Sequence, residues 1–165
     1  MLTNFSITQL YIGLAVLSAW ALGAAFISEY VFMLMPCKLF LYQRYAYMAL
    51  AMISAIALCL KSVSIKRFVL FCCAGTVLVG CLTAFYHVGV EQQIFTEPAS
   101  CASSINESLT LNLEEMKNQI YNNAPHCSEV SFTFLGISMA GWNGLTLLIV
   151  FIILAQYLNL SQRKI

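Results

Sequence analysis

Residues 68–90 read FVLFCCAGTVLVGCLTAFYHVGV, a stretch with no acidic side chain and no base except His87. About 20 apolar residues are enough to cross the hydrocarbon core of a bilayer. Backbone in that medium must satisfy its own hydrogen bonds, so the stretch is predicted to be a transmembrane helix. Upstream lies Lys61-Ser-Val-Ser-Ile-Lys-Arg67, a short basic connection, and before it a second apolar run over 45–60. A first run extends over 10–35, broken only by Ser18, Ser28 and Glu29, and a fourth over 142–158. The positive-inside rule assigns Lys61, Lys66, Arg67 and the terminal Arg163-Lys164 to the cytoplasm. Four spans then put both termini inside and leave two outer segments, 30–44 and 91–141. The fold expected is an all-α, four-helix transmembrane bundle forming one domain over 1–165.

Composition agrees with that frame. Of 165 residues, 61% are hydrophobic and 9% charged, against roughly a quarter charged in soluble domains. Net charge is +1 without a polybasic block, which argues against a nucleic-acid partner. Six of the seven glutamates fall between Glu91 and Glu129, inside the longer outer segment, and there is no aspartate. The first apolar run lacks a basic leader and a small-residue cleavage site, so it reads as a retained anchor. Within the long segment, Leu113, Met116 and Ile120 recur at helical spacing between Glu114, Glu115 and Lys117. That pattern predicts a short amphipathic helix lying on the bilayer or on a small core of the loop itself. Asn4-Phe-Ser6, Asn106-Glu-Ser108 and Asn159-Leu-Ser161 fit the glycosylation pattern by chance, two of them on the inner side.

The predicted topology sorts the seven cysteines. Cys59, Cys72, Cys73 and Cys81 belong to apolar helices, where a thiol behaves as a small hydrophobe. Cys72 and Cys73 point to different sides of one helix and make no metal site. Cys37, Cys101 and Cys127 fall on the outer side, which is an oxidising compartment if the membrane is a bacterial inner membrane. A disulfide between Cys101 and Cys127 is the economical pairing. Spacing leaves open whether it is a staple, worth about 3 kcal/mol, or a bond exchanged with another protein. Cys37 is then the odd thiol, a mark of reactivity or of intermolecular pairing.

Cys37 stands in Met35-Pro-Cys-Lys-Leu-Phe-Leu-Tyr-Gln-Arg44, which places a thiol, a proline, an aromatic and a permanent cation at the membrane edge. A cation beside a thiolate favours the ionised form. Arg44 by position alone equally suits an anchor that reaches the headgroups. His87 is either a proton donor to a ligand or a polar residue at a helix end. Tyr42 and Tyr86 suit an aromatic belt, and Glu29 a solvated interfacial position.

Taken together these motifs resemble the DsbB family of disulfide-bond formation proteins of bacterial inner membranes. Glu29-Tyr30 followed by residues 35–44 is similar to the family's first outer loop, P-C-x-L-C-x-Y-Q-R. Tyr86-His-Val-Gly-Val-Glu91 resembles its Y-H-x-G-V-E, and residues 132–139 with Trp142 resemble its return into the fourth helix. Cys101 and Cys127 match the second-loop pair. The resemblance implies a thiol–quinone oxidoreductase. A periplasmic DsbA-type thiol oxidase would attack Cys101, and electrons would pass by Cys127 to the first-loop pair containing Cys37. They would end on ubiquinone or menaquinone, held near Arg44 and His87. One departure bears directly on that route: the second cysteine of the family's C-x-x-C is Phe40 here. The alternatives are a non-catalytic relative that binds quinone or a thiol oxidase, and a tetraspan scaffold with a disulfide-stapled loop.

Overall fold

The structure, a computed structural model, describes residues 6–98, 126–128, 130 and 132–162. Four long helices dominate it: α1 (Ile7–Tyr30), α2 (Lys38–Cys59), α3 (Val63–Glu91) and α4 (Met139–Gln162). The predicted amphipathic helix around Leu113–Ile120, together with Cys101, lies outside the described residues. By length and apolar content α1, α3 and α4 qualify as membrane spans. The remaining helix, α2, is long enough but opens with Lys38, Gln43 and Arg44, which dilute its apolar character.

Local chemistry explains where these helices start and stop. Ser6 caps α1: its hydroxyl accepts from the Gln9 amide at 3.2 Å, while the Gln9 side chain accepts from the Ser6 amide at 2.8 Å. The first apolar run was expected to continue to residue 35, yet α1 ends at Tyr30. Met33 adopts a positive φ of 54°, and Pro36 disfavours helical geometry in Met35 before it. Cys37 is the N-cap of α2, with extended backbone and no side-chain capping bond. Residues 38–44, expected as connecting segment, are therefore the first two turns of a helix, and this carries Gln43 and Arg44 into the bundle.

Before α4 the chain makes a two-residue hairpin the sequence did not announce. Strands β1 (Thr133–Phe134) and β2 (Ile137–Ser138) pair antiparallel, Thr133 opposite Ser138 and Phe134 opposite Ile137. The turn needs positive φ at both central residues, 53° at Leu135 and 78° at Gly136, the geometry that matches strand twist. Trp142 Nε1 donates to the Phe134 carbonyl at 3.0 Å, folding the hairpin onto the first turn of α4. Ser138 Oγ accepts the Gly141 amide at 3.1 Å, capping that helix.

Packing joins α1 to α2, α2 to α3 and α3 to α4. The shared core contains Tyr11, Leu50, Leu70, Val77, Leu147 and Leu154. Many large apolar side chains, Trp20, Phe71, Val79 and Ile149 among them, face outward, as they should in lipid. A close approach caps the far end of α3. A Cβ on Gly89 would sit 2.2 Å from the Phe95 ring, which is stacked on Tyr86 at 5.5 Å between centroids. Gly89→Ala is expected to push Phe95 off this platform and to cost about 1 kcal/mol, because the half-exposed ring can swing away. Detergent-phase unfolding of the variant measures the loss, and faster proteolysis after residue 92 reports the loosened exit from α3.

Candidate functional site

Where α2 begins and α3 ends, residues distant in sequence converge. Cys37, Leu39, Val90 and Cys127 form one buried cluster, with Phe40 packed against it. Cys127 is fully buried and Cys37 nearly so, at 0% and 9% exposure. Cys127, assigned from sequence to the long outer segment, is enclosed within the bundle end rather than displayed on it. Glu97 helps hold it there. One Glu97 carboxylate oxygen accepts the Cys127 amide at 2.5 Å, and the other lies 3.2 Å from His126 Nδ1.

His87 stands in the middle of this cluster. Its Nε2 is 3.4 Å from Cys37 Sγ and 3.8 Å from a Glu91 carboxylate oxygen one helical turn on. The Cys127 backbone also hydrogen-bonds to the ring. Its Nδ1 is 3.0 Å from Gln43 Nε2. From Gln43 the polar contacts continue inward: Asn143 Nδ2 donates to Gln43 Oε1, and the Tyr47 hydroxyl donates to Asn143 Oδ1. Polar side chains among apolar helices are costly and accordingly face the bundle interior.

Arg44 occupies the other side of Phe40. Nη1 donates to the Glu29 carboxylate, and Nη2 donates to the Ala25 carbonyl at 2.7 Å. Glu29 was expected to be solvated; its pairing with Arg44 draws it into the wall instead. The guanidinium lies over two rings, Phe26 at 5.3 Å and Phe40 at 5.6 Å. Its Nε is buried and has no acceptor among the described residues.

Two cavities meet along this wall. The smaller, about 50 Å³, touches Cys37, His87, Glu91 and Met139; the larger, about 300 Å³, lies between α1 and α4 with α2 as its floor. Phe40, Arg44 and Met139 line both. The larger one is walled mostly by apolar groups, Trp20 and Trp142 included, with Gln43, Arg44 and Asn143 as its polar face. An apolar slot with a few convergent donors suits a flat, lipid-soluble molecule carrying carbonyl oxygens.

Of the residues singled out in sequence, the structure gathers Cys37, Cys127, His87 and Arg44 at one end of the bundle. The network members Gln43, Tyr47 and Asn143 and the clamp Glu97 were not anticipated. Two signals were available. Gln43 and Tyr47 are four apart on one helix face, and Asn143 is an amide at the mouth of a strongly apolar run, a placement that marks interior polar contacts.

Comparison with known proteins places this geometry in context. The sequence profile described as "Disulfide bond formation protein DsbB" matches residues 8–157. A protein of Rickettsia prowazekii (strain Madrid E) named "Uncharacterized protein RP370" is 33% identical over 131 residues, covering 79% of this chain and 75% of that one. Disulfide bond formation protein B of Acinetobacter baumannii is 30% identical over 139 residues, covering 82% and 81%. Its counterpart in Acinetobacter baylyi is 30% identical over 111 residues, covering 66% and 65%. No solved structure matches significantly.

Proposed function

The chain belongs to the DsbB family of disulfide bond formation proteins, and from that premise we propose that it is a membrane thiol–quinone oxidoreductase that reoxidises a periplasmic DsbA-type thiol oxidase. In this reading it sits in a bacterial inner membrane with α2 as the fourth span. Both termini are cytoplasmic, and the cysteine-bearing end of the bundle faces the periplasm. Quinone, when bound, supplies the acceptor for the two electrons and two protons released as a dithiol closes to a disulfide. The Arg44 Nε, buried beside an apolar slot and without an acceptor among the described residues, suits a quinone carbonyl oxygen, and Trp20 and Trp142 provide flat walls. His87 is the group beside Cys37 able to hold or give a proton.

The observation that carries the proposal is the burial of Cys37 and Cys127 in one cluster although 90 positions separate them. With phenylalanine at position 40, the thiol three residues from Cys37 is missing, and its redox mate must come from elsewhere. Cys127 supplies it in this reading: the partner's thiolate attacks Cys101 of a Cys101–Cys127 disulfide, and Cys127 leaves as the thiol. Its closure onto the Cys37 thiol passes two electrons and two protons to quinone. Burial of Cys127 favours that division of roles, because exchange requires in-line access to the attacked sulfur. Phe40 equally supports a second reading, a relative that binds quinone or the thiol oxidase and turns over poorly.

The test uses purified full-length protein, a reduced DsbA-type oxidase and a soluble quinone. Slow quinone reduction is expected from the native chain, and Cys127→Ser mixed with the oxidised partner is expected to form a mixed disulfide through attack of the Cys101 thiolate on the partner's disulfide. Absence of both overturns the oxidoreductase reading. A mixed disulfide without quinone reduction selects the poorly active relative.

A further inference from the structure

From the order of donors and acceptors in the buried network we infer that Tyr47, Asn143 and Gln43 are positioning residues that fix the tautomer of His87, so that its proton sits on Nε2 and points at the Cys37 sulfur. The assignment starts from the far end. The Tyr47 hydroxyl is buried, and its hydrogen-bond partner among the described residues is Asn143. If the Asn143 amide were reversed, its NH2 group would face Tyr47, and the phenol proton would be left buried without an acceptor. Asn143 therefore turns its oxygen to Tyr47 and its NH2 to Gln43 Oε1. Gln43, with its oxygen committed, offers an N–H to His87 Nδ1 at 3.0 Å. Nδ1 must then be the unprotonated acceptor, which leaves the proton of the neutral ring on Nε2.

The consequence lies at the sulfur. At 3.4 Å, Nε2–H donates to Cys37 when the thiol is ionised, and hydrogen bonding to a charged form favours it. The reverse tautomer would offer a lone pair and favour the protonated thiol instead. Glu91 from α3 is the charged group against the same ring, and the Cys127 backbone carbonyl approaches the ring from the segment before the hairpin. Arg44, with Glu29 behind it, lines the same small cavity. The α4 residues lining this space, Met139 and Ala140, carry no charge. The network thus biases Cys37 toward the nucleophilic thiolate from a tyrosine two helix faces away.

This deepens the thiol–quinone reading and rests on it for its purpose, yet its test needs neither quinone nor partner. The chain has two histidines, so ¹⁵N spectra of the reduced full-length protein in detergent can be assigned with a His126→Gln variant. The expected result is a neutral His87 protonated at Nε2. An Nδ1-protonated or doubly protonated ring overturns the inference. In Asn143→Leu the ring should become a tautomer mixture, and the alkylation rate of Cys37 near pH 7, followed by mass mapping, should fall about tenfold while that of Cys59 holds. An unchanged tautomer and unchanged Cys37 profile in Asn143→Leu also overturn it. The Nε2–H tautomer without any quinone reduction fails the functional reading alone.

Discussion

Phe40→Cys is expected to raise the rate of quinone reduction on the order of a hundredfold. The Phe40 ring packs on the Cys37–Cys127 cluster and lies under the Arg44 guanidinium, between the two cavities. A cysteine there sits one helical turn after Cys37, at the spacing from which a neighbouring thiol can close a disulfide. The route then no longer depends on a distant segment reaching Cys37 against closure entropy. Removing the ring also merges the two cavities and brings the new sulfur to the polar face that Arg44 presents. The substitution empties volume, so a loss of about 2 kcal/mol in stability should accompany the gain. Stopped-flow loss of quinone absorbance with a reduced DsbA-type oxidase measures the rate. No gain, in a variant that still binds quinone, means that position 40 is not where the electron path is interrupted.

Breaking the Arg44–Glu29 pair is the second large effect. Arg44→Met leaves the Glu29 carboxylate without its cation and frees the Ala25 carbonyl, and a buried pair stripped of one partner loses several kcal/mol. Glu29 keeps about a quarter of its side chain exposed, at 24%, so water recovers part of that cost. A loss of about 2 kcal/mol is the expected size, read from denaturing-detergent titration. Glu29→Gln should cost less, since Arg44 retains the Ala25 carbonyl and its two aromatic faces. The double variant should be more stable than the sum of the two, because the orphaned charge is gone. Quinone affinity separates the roles: it should fall at least tenfold in both variants lacking Arg44 and hold in Glu29→Gln. Strict additivity, or equal affinity in all three, would show that Arg44 is an anchor at the membrane edge and nothing more.

How much of this was legible beforehand depends on the kind of force involved. The long apolar runs showed the helices, since a chain in hydrocarbon has few ways to satisfy its backbone. Helix ends were less visible. Tyr30 stops α1 and Cys37 starts α2 because of proline and a positive φ, inside a stretch whose hydropathy barely changes. The cysteines, Arg44 and His87 stood out by chemistry and by resemblance. Gln43, Asn143 and Tyr47 did not, because nothing in their spacing along the chain links α2 to α4; only the packed bundle brings them together. Glu29 was misjudged for the same reason, as its partner lies 15 residues on, in the next helix. The burial of Cys127 depends on Glu97 and on the exit from α3, both invisible to a reading of local pattern.

The amide relay has a second consequence, for assembly rather than chemistry. Lipid tails solvate leucine as well as another helix does, so apolar faces in a bilayer specify rotation and depth only loosely. Here α2 contributes Gln43 and Tyr47, α3 contributes His87 and α4 contributes Asn143, three helices laced by directional bonds at one depth. Sliding any of them by one residue displaces its member by about 1.5 Å, and turns it by roughly 100°, enough to break the lace. The same side chains thereby act as a registration pin. A bundle inserted with one helix mis-rotated carries unsatisfied amides in a medium that offers no water, and is selected against before any thiol has reacted.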